Sequence, residues 1–251
     1  MAYVHRVVKA GTTVEHKKMH SSRYTAERVQ RKRAANQGST SEKQAQINER
    51  KTEEHLRWLI NANYGWKDLH AVLHYYAKDT TFEQFLEDCK LFLKRLRRIC
   101  ARRGIKYKVV VVHETKRMTN PHHHIIISRM DPEIIMEAWE GVPAGGGGVS
   151  FKPLDNRGNH YKLASYLMKE SRSTMERYKE LGRRGKRYSC SQNMTKPVIT
   201  YEVVHVGTWR KDPKARKGAV LYKFDDGSTC RSGWNEISGY PWQEYFEVFN
   251  E

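Results

Sequence analysis

The stretch Pro121-His122-His123-His124-Ile125-Ile126-Ile127 sets three imidazoles directly before three isoleucines. A short apolar run bounded by proline reads as a buried β-strand, and successive side chains on a strand point to opposite faces. His122, His124 and Ile126 therefore share one face, while His123, Ile125 and Ile127 share the other. Two imidazoles converge on one point of a rigid mount, and neutral imidazole is the commonest protein metal ligand. A metal site is the sharp reading, and a chance polar start to an apolar strand is the bland one.

Working outward, residues 106–114 form a Val-rich strand, 116–121 its turn, and 122–128 the antiparallel return. Glu114 ends one strand and His122 opens the next, so the hairpin can bring this carboxylate to both imidazoles as a third ligand. Upstream, residues 68–76 alternate Leu69, Ala71, Leu73 and Tyr75 with His70, Val72, His74 and Tyr76, which reads as a strand. Thr80 and Glu83 form a capping pair for a helix. Phe82, Phe85, Leu86, Cys89, Leu93, Leu96 and Cys100 then recur at helical spacing until Gly104. The opposite face carries Lys94, Arg95, Arg97, Arg98, Arg102 and Arg103. These read as solvation of an outer helix, slightly ahead of a nucleic-acid groove.

Downstream, Pro132 opens a short helix ending near Glu140, and the glycines at 145–148 lead into a strand at 149–154. The glycine run lacks the Lys and Ser/Thr of a P-loop, and no GxxxxGK occurs, so the sequence carries no sign of its own ATPase or helicase. A helix over 159–171 buries Leu163, Leu167 and Met168. Its polar stripe of Lys162, Tyr166, Lys169 and Glu170 presents a phenol between two ammonium groups. A basic loop with Arg183, Arg184, Lys186 and Arg187 follows, then a strand at 198–206. The C-terminal region holds Trp209, Tyr222, Phe224, Trp234, Tyr240, Trp242, Tyr245 and Phe246. Interleaved with Arg210, Lys211, Lys214, Arg216 and Lys217, these rings suit either base stacking or, with more weight, the core of a small β-rich appendage.

Residues 21–57 are polar and basic, with Arg28, Arg31, Lys32 and Arg33 clustered ahead of a helix-like run at 41–61 with only a partial apolar stripe. The expected layout is a basic, partly helical N-terminal extension at 1–63, a catalytic body at 64–200, and a β-rich aromatic and basic region at 201–251 packed on that body.

The chain's 251 residues suffice for a sizeable core. Four scattered cysteines without a CxxC pair suggest neither a zinc cluster nor a disulfide framework, and point to a reducing compartment. No signal peptide and no membrane-spanning run is read, so the expectation is a soluble intracellular protein. A formal net charge of +18 points to nucleic acid as partner, ahead of an unpartnered cationic surface or an anionic membrane.

Two imidazoles and a carboxylate leave coordination positions open, for Mg²⁺ or Mn²⁺ against a phosphate or for Fe(II) in oxygen chemistry. The charge favours phosphate. A divalent ion would polarise a phosphodiester, and a phenol in line could attack phosphorus. Tyrosine's unperturbed pKa is about 10, and Lys162 and Lys169 are expected to stabilise the phenolate.

With Glu114 upstream and Tyr166-Leu167-Met168-Lys169 downstream, the histidine segment resembles the HUH endonuclease superfamily, in particular the rolling-circle replication-associated (Rep) proteins of bacteriophages and related mobile elements. His122 and His124 match the ligand pair, although the residue between them is His123 where that pattern usually has a hydrophobic one. Tyr166 with Lys169 matches the Tyr-x-x-Lys nucleophile motif. Asn61-Ala62-Asn63-Tyr64, Lys186-Arg187-Tyr188-Ser189 before Lys196-Pro197, and Ser238-Gly239-Tyr240-Pro241 also look like segments of the phage-type group, so the resemblance covers most of the chain beyond the first fifty residues.

The resemblance implies an α+β fold with a central antiparallel sheet and packed helices. It implies recognition of single-stranded or origin-hairpin DNA and a Mg²⁺- or Mn²⁺-dependent nick leaving a 5′-phosphotyrosine and a free 3′-OH that primes replication, with later strand rejoining. Catalytic roles would fall to Tyr166 and Lys169, metal ligation to His122, His124 and Glu114, and DNA contacts to Lys162, Arg183, Arg184, Lys186 and Arg187. A host helicase and polymerase in a bacterial cytoplasm would be the partners. Tyr161 and Tyr166 have the wrong spacing for a two-tyrosine mechanism, so a single nucleophile is expected. A histidine-triad hydrolase fails because Ile126 stands at the third alternate position, and an iron oxygenase leaves the cationic excess unexplained. A noncatalytic nucleic-acid-binding protein is the remaining competitor.

Overall fold

The computed structural model describes residues 2–21, 42–76, 80–143, 147–155, 157–236 and 238–250. In chain order the elements are β1 (Ala2–Ala10), β2 (Thr13–Ser21), α1 (Glu42–Asn63), β3 (Leu69–His74), α2 (Phe82–Arg102), β4 (Val109–Glu114), β5 (His122–Ile127), α3 (Pro132–Glu140), β6 (Val149–Pro153), α4 (Tyr161–Glu180), β7 (Ser189–Cys190), β8 (Val198–Val204), β9 (Ala219–Leu221), β10 (Arg231–Trp234) and β11 (Pro241–Phe249). The class is α+β, with two antiparallel sheets and four α-helices among the described residues.

One compact unit, residues 52–156 and 160–195, holds the sheet β6-β3-β5-β4-β7. All six residues of β5 are buried, because β3 and β4 flank it and helices cover both faces. On one face Ile125 and Ile127 pack with Cys89, Phe92 and Leu96 of α2 and with Ile134, Ile135 and Trp139 of α3. On the other, Ile126 packs with Leu56 and Ile60 of α1 and with Ala164, Leu167 and Met168 of α4. Each wholly buried isoleucine contributes roughly 2 kcal/mol of transfer free energy. The alternation read from the histidine segment is thus the partition between two cores.

Local chemistry sets the ends of these helices. The N-cap of α2 is Thr81, whose side chain accepts from the Gln84 N–H, and not Thr80; the capping signal falls one residue later than expected. Gly104 (φ 65°) takes the left-handed backbone just past α2. Helix α4 runs nine residues beyond the expected end at 171. Its hydroxyls, which favour turns when they compete for backbone groups, are otherwise engaged: Ser171 Oγ donates to the Met168 carbonyl (2.7 Å) and Thr174 Oγ1 to the His113 carbonyl on β4 (2.7 Å). No described helix is long and apolar enough to cross a membrane.

The other unit, residues 1–51, 157–159 and 196–251, holds the sheet β10-β11-β2-β1-β8, with β9 also on β11. The expected boundaries at 63/64 and 200/201 do not coincide with these units. Residues 2–21 form a hairpin rather than part of a helical arm, and its strands pair with β8 and β11. Nor is the β-structure a single sheet, as the family resemblance implied. The basic cluster at Arg28, Arg31, Lys32 and Arg33 and the glycines at 145 and 146 lie outside the described residues. Tyr222, Phe224 and Phe246 are buried against one another, which agrees with the core reading for those three rings, whereas Trp234 is exposed.

A candidate metal and tyrosine site

The β4–β5 register places Glu114 opposite His122 and Val112 opposite His124, and side chains of paired residues share a face. Glu114 Oε2 lies 2.6 Å from His122 Nε2 and 3.1 Å from His124 Nε2, with all three residues buried. Glu114, His122 and His124 thus form a cluster able to hold a cation. The turn between the strands returns an ammonium to the site, since Lys116 Nζ lies 3.3 Å from Glu114 Oε1. Lys116 (φ 40°) and Met118 (φ 64°) both sit in the left-handed region, which non-glycine residues adopt at some cost.

The hydrogen bonds behind the rings fix what faces forward. His122 Nδ1 donates to the Asn120 carbonyl (3.1 Å), so a neutral His122 presents a bare Nε2 lone pair to a carboxylate oxygen. Two lone pairs at 2.6 Å require a proton or a cation between them. His124 Nδ1 is 3.0 Å from His70 Nε2 on β3, and His70 thereby orients its neighbour from behind. The donor set of two imidazole nitrogens and a carboxylate fits a divalent ion with open positions, and Glu114, His122 and His124 are the residues that would hold it.

Electrostatics agree with this assignment. Burial opposes ionisation of Glu114, but hydrogen bonds from His122, His124 and Glu170, together with the His122 charge, outweigh it and hold this carboxyl far below the usual range. Burial, then the hydrogen bond to Glu114 and its charge, raise Glu170, which is the protonated partner of the pair. Burial lowers His124, and lowers His70 to about 4 with the His124 charge as the next cause, so both rings are neutral and fit to ligate or orient.

Tyr166 on α4 turns its ring edge-on to His124 (centroids 5.4 Å apart) and to His70 (6.4 Å), and it is 43% exposed, which leaves the hydroxyl side open to a ligand. The phenol is not stabilised as expected. Burial, then the Glu170 and Glu114 charges, push its pKa up, while Lys162 and Lys169 lie on exposed positions of α4 where water screens them. Lys169 follows Tyr166 by three residues and so lies on a neighbouring line of the helix. Tyr161 stacks with the Arg57 guanidinium (5.1 Å).

The basic loop divides. Arg184 and Lys186 are exposed, and Arg183 pairs with Glu83 (2.8 Å). Arg187 instead donates to the Met168 carbonyl (3.3 Å) and Ser171 Oγ (3.1 Å), bracing α4. Sequence reasoning missed Glu170 and His70 as members of the site. Their signals were present: Glu170 lies four residues after Tyr166 on the same stripe, and His70 alternates in phase with His74 on the strand beside β5.

Residues 73–175 match a family model described as Replication-associated protein, of the ORF2 type. That span contains Glu114, His122, His124, Tyr166, Lys169 and Glu170, and the match supports a replication-associated protein. No curated protein and no solved structure matches the chain.

Proposed function

We propose that this protein initiates rolling-circle replication by nicking single-stranded origin DNA with Tyr166 as nucleophile, at a site where Glu114, His122 and His124 hold Mg²⁺ or Mn²⁺. The observation that carries the reading is the meeting of a phenol ring with a Glu-His-His cluster, His124 belonging to the cluster and lying against the ring of Tyr166. When bound, the ion would supply Lewis-acid polarisation of the scissile phosphodiester.

The chain's own groups then have these roles. The Tyr166 oxygen attacks phosphorus, forming a 5′-phosphotyrosine bond as the bond to the 3′ oxygen breaks, and the departing 3′-OH carries away a proton. The phenol proton passes to a nearby base, and Glu170, whose charge already acts on the phenol, is the neighbouring acceptor once ionised. His70 holds His124 in one tautomer. Lys169, with its ammonium, offsets charge on the phosphate, and exposed Lys162, Arg183, Arg184 and Lys186 guide the backbone of the strand. Attack by the free 3′-OH on the phosphotyrosine reverses the sequence and rejoins DNA. Unwinding and synthesis fall to a host helicase and polymerase, since the sequence offers no GxxxxGK.

The test uses a randomised single-stranded DNA pool with Mn²⁺, followed on a denaturing gel. Wild-type protein yields a covalent protein–DNA adduct and a fragment ending in 3′-OH. Tyr166→Phe yields neither and keeps its DNA affinity within about threefold, as expected when phosphate contacts dominate binding. An adduct that survives Tyr166→Phe refutes the assignment. Salt-sensitive binding by the wild type with no adduct would favour a noncatalytic DNA-binding protein.

A further inference from the structure

Behind the first cluster, on the reverse face of the same two strands, lies a second group of ligand-type side chains: Cys89 of α2, His113 of β4 and His123 of β5, each offering a donor atom within 4.8 Å of the others. We infer that these three residues form a second, sulfur-containing site for a cation of the zinc class, separate from the Glu114 site and structural in role.

Three observations carry this. First, the spacing suits the ion: tetrahedral Zn²⁺ with bonds of about 2.0–2.3 Å sets its ligand atoms roughly 3.3–3.7 Å apart, and His113 Nδ1 and His123 Nδ1 stand 2.8 Å apart, so a shift of about half an ångström opens the site. Second, the far side of His123 is already arranged as metal-bound histidines require. Tyr75 donates its hydroxyl hydrogen to the Phe85 carbonyl (3.3 Å), so it accepts from His123 Nε2–H (2.9 Å), and His123 Nδ1 is left with its lone pair toward the cluster. Stacking on Phe85 at 4.1 Å fixes the plane of that ring. Third, Asp88, next to Cys89 on α2, is buried; its Oδ1 accepts from Gln84 (2.7 Å), while its Oδ2 makes no hydrogen bond of ordinary geometry. A cation nearby would offset that half-compensated carboxylate.

The thiol and two imidazoles select the class of ion. Thiolate with imidazole favours Zn²⁺ over Mg²⁺ or Mn²⁺, which prefer oxygen donors. On binding, the Cys89 thiol loses its proton to solvent and the S–H bond is replaced by a metal–sulfur bond. The ion would tie α2 to the back of β4–β5, and so stiffen the strand pair that presents Glu114, His122 and His124 on its other side.

Co²⁺ titration of chelator-treated full-length protein tests this. Thiolate–cobalt charge transfer in the near ultraviolet arises only where sulfur ligates, and the Glu114 site has none. The expected result is a band saturating at a single equivalent, displaced by Zn²⁺, unchanged in His122→Ala and in Cys190→Ser, and lost in Cys89→Ser. Absence of the band, or its loss on changing exposed Cys190, overturns the proposal. Because Cys89→Ser could fold poorly, X-ray absorption on zinc-loaded wild-type protein provides a second measurement: a shell with one sulfur and nitrogen neighbours supports the site, and a shell without sulfur overturns it. Both readouts are independent of nicking, so the two functional readings stand or fall separately.

Discussion

Acidification should unfold the sheet unit that carries the site well before its carboxylates are all protonated. His70 and His113 are held at about 4, by burial in both cases and for His70 also by the His124 charge, against an ordinary value of 6.5. The unfolded chain therefore takes up protons on these rings as pH falls through 6.5, while the folded unit refuses them until about 4. The unfolded state binds more protons throughout that window, so stability is full above pH 6.5, declines as pH drops, and levels off below 4. Each shift of about 2.5 units is worth up to about 3 kcal/mol, and the two together up to about 6 kcal/mol, a large part of a typical domain's total. The measurement is a series of urea midpoints between pH 7.5 and pH 4.5, in chelator to keep cations off the same rings, followed by exchange protection of the β4 and β5 amides. The slope should approach roughly 1.4 kcal/mol per pH unit for each ring near the middle of the window, and His113→Gln should remove about half of it. A midpoint that stays flat from pH 6.5 to 4.5 would refute the assignment of these rings as buried and neutral.

Three further outcomes follow from the geometry. Ile126→Ala, which empties a wholly buried position between α1 and α4, should cost about 3 kcal/mol in urea denaturation and lower nicking only through the folded fraction; a change below about 1 kcal/mol would contradict the packing. Arg184→Ala and Lys186→Ala should each reduce the slope of log affinity against log salt for single-stranded DNA by roughly one, whereas Arg187→Ala should leave that slope alone and lower the melting temperature, because its contacts are to α4. Glu170→Gln removes a negative charge acting on Tyr166, so in metal-free protein the phenol should titrate at lower pH, read by NMR of labelled tyrosine; a rise or no change would place Glu170 away from the hydroxyl.

What the sequence disclosed was local in origin. The period-two pattern of 121–127 fixed both faces of β5, and the short hairpin between Glu114 and His122 fixed their register, because every informative residue lies within a few positions of the next. The α2 stripe and the Pro132 start of α3 were legible for the same reason. The β1–β2 hairpin escaped, since its partners are near the other end of the chain and its strands mix His, Lys and Arg among the apolar positions. Site members reached through space rather than sequence were also missed: His70 joins His124 across a strand boundary, and Glu170 gains its meaning only from Glu114. The second cluster was hidden because its thiol, on an amphipathic helix, counts as one more apolar residue, and His123 reads as a spacer between two ligands.

One consequence of the split unit concerns manufacture. Strands β1 and β2 emerge first from the ribosome, but their neighbours β8 and β11 are translated long after the whole five-stranded sheet that carries the histidines. Pairings this distant in sequence form slowly. Until residues 241–249 have been made, the early hairpin offers unsatisfied backbone edges to any strand it meets. Yield in a bacterial host should therefore respond to chaperone supply and growth temperature more sharply than the stability of the finished protein would predict, and messages truncated before β11 should give aggregates even though the other unit is complete.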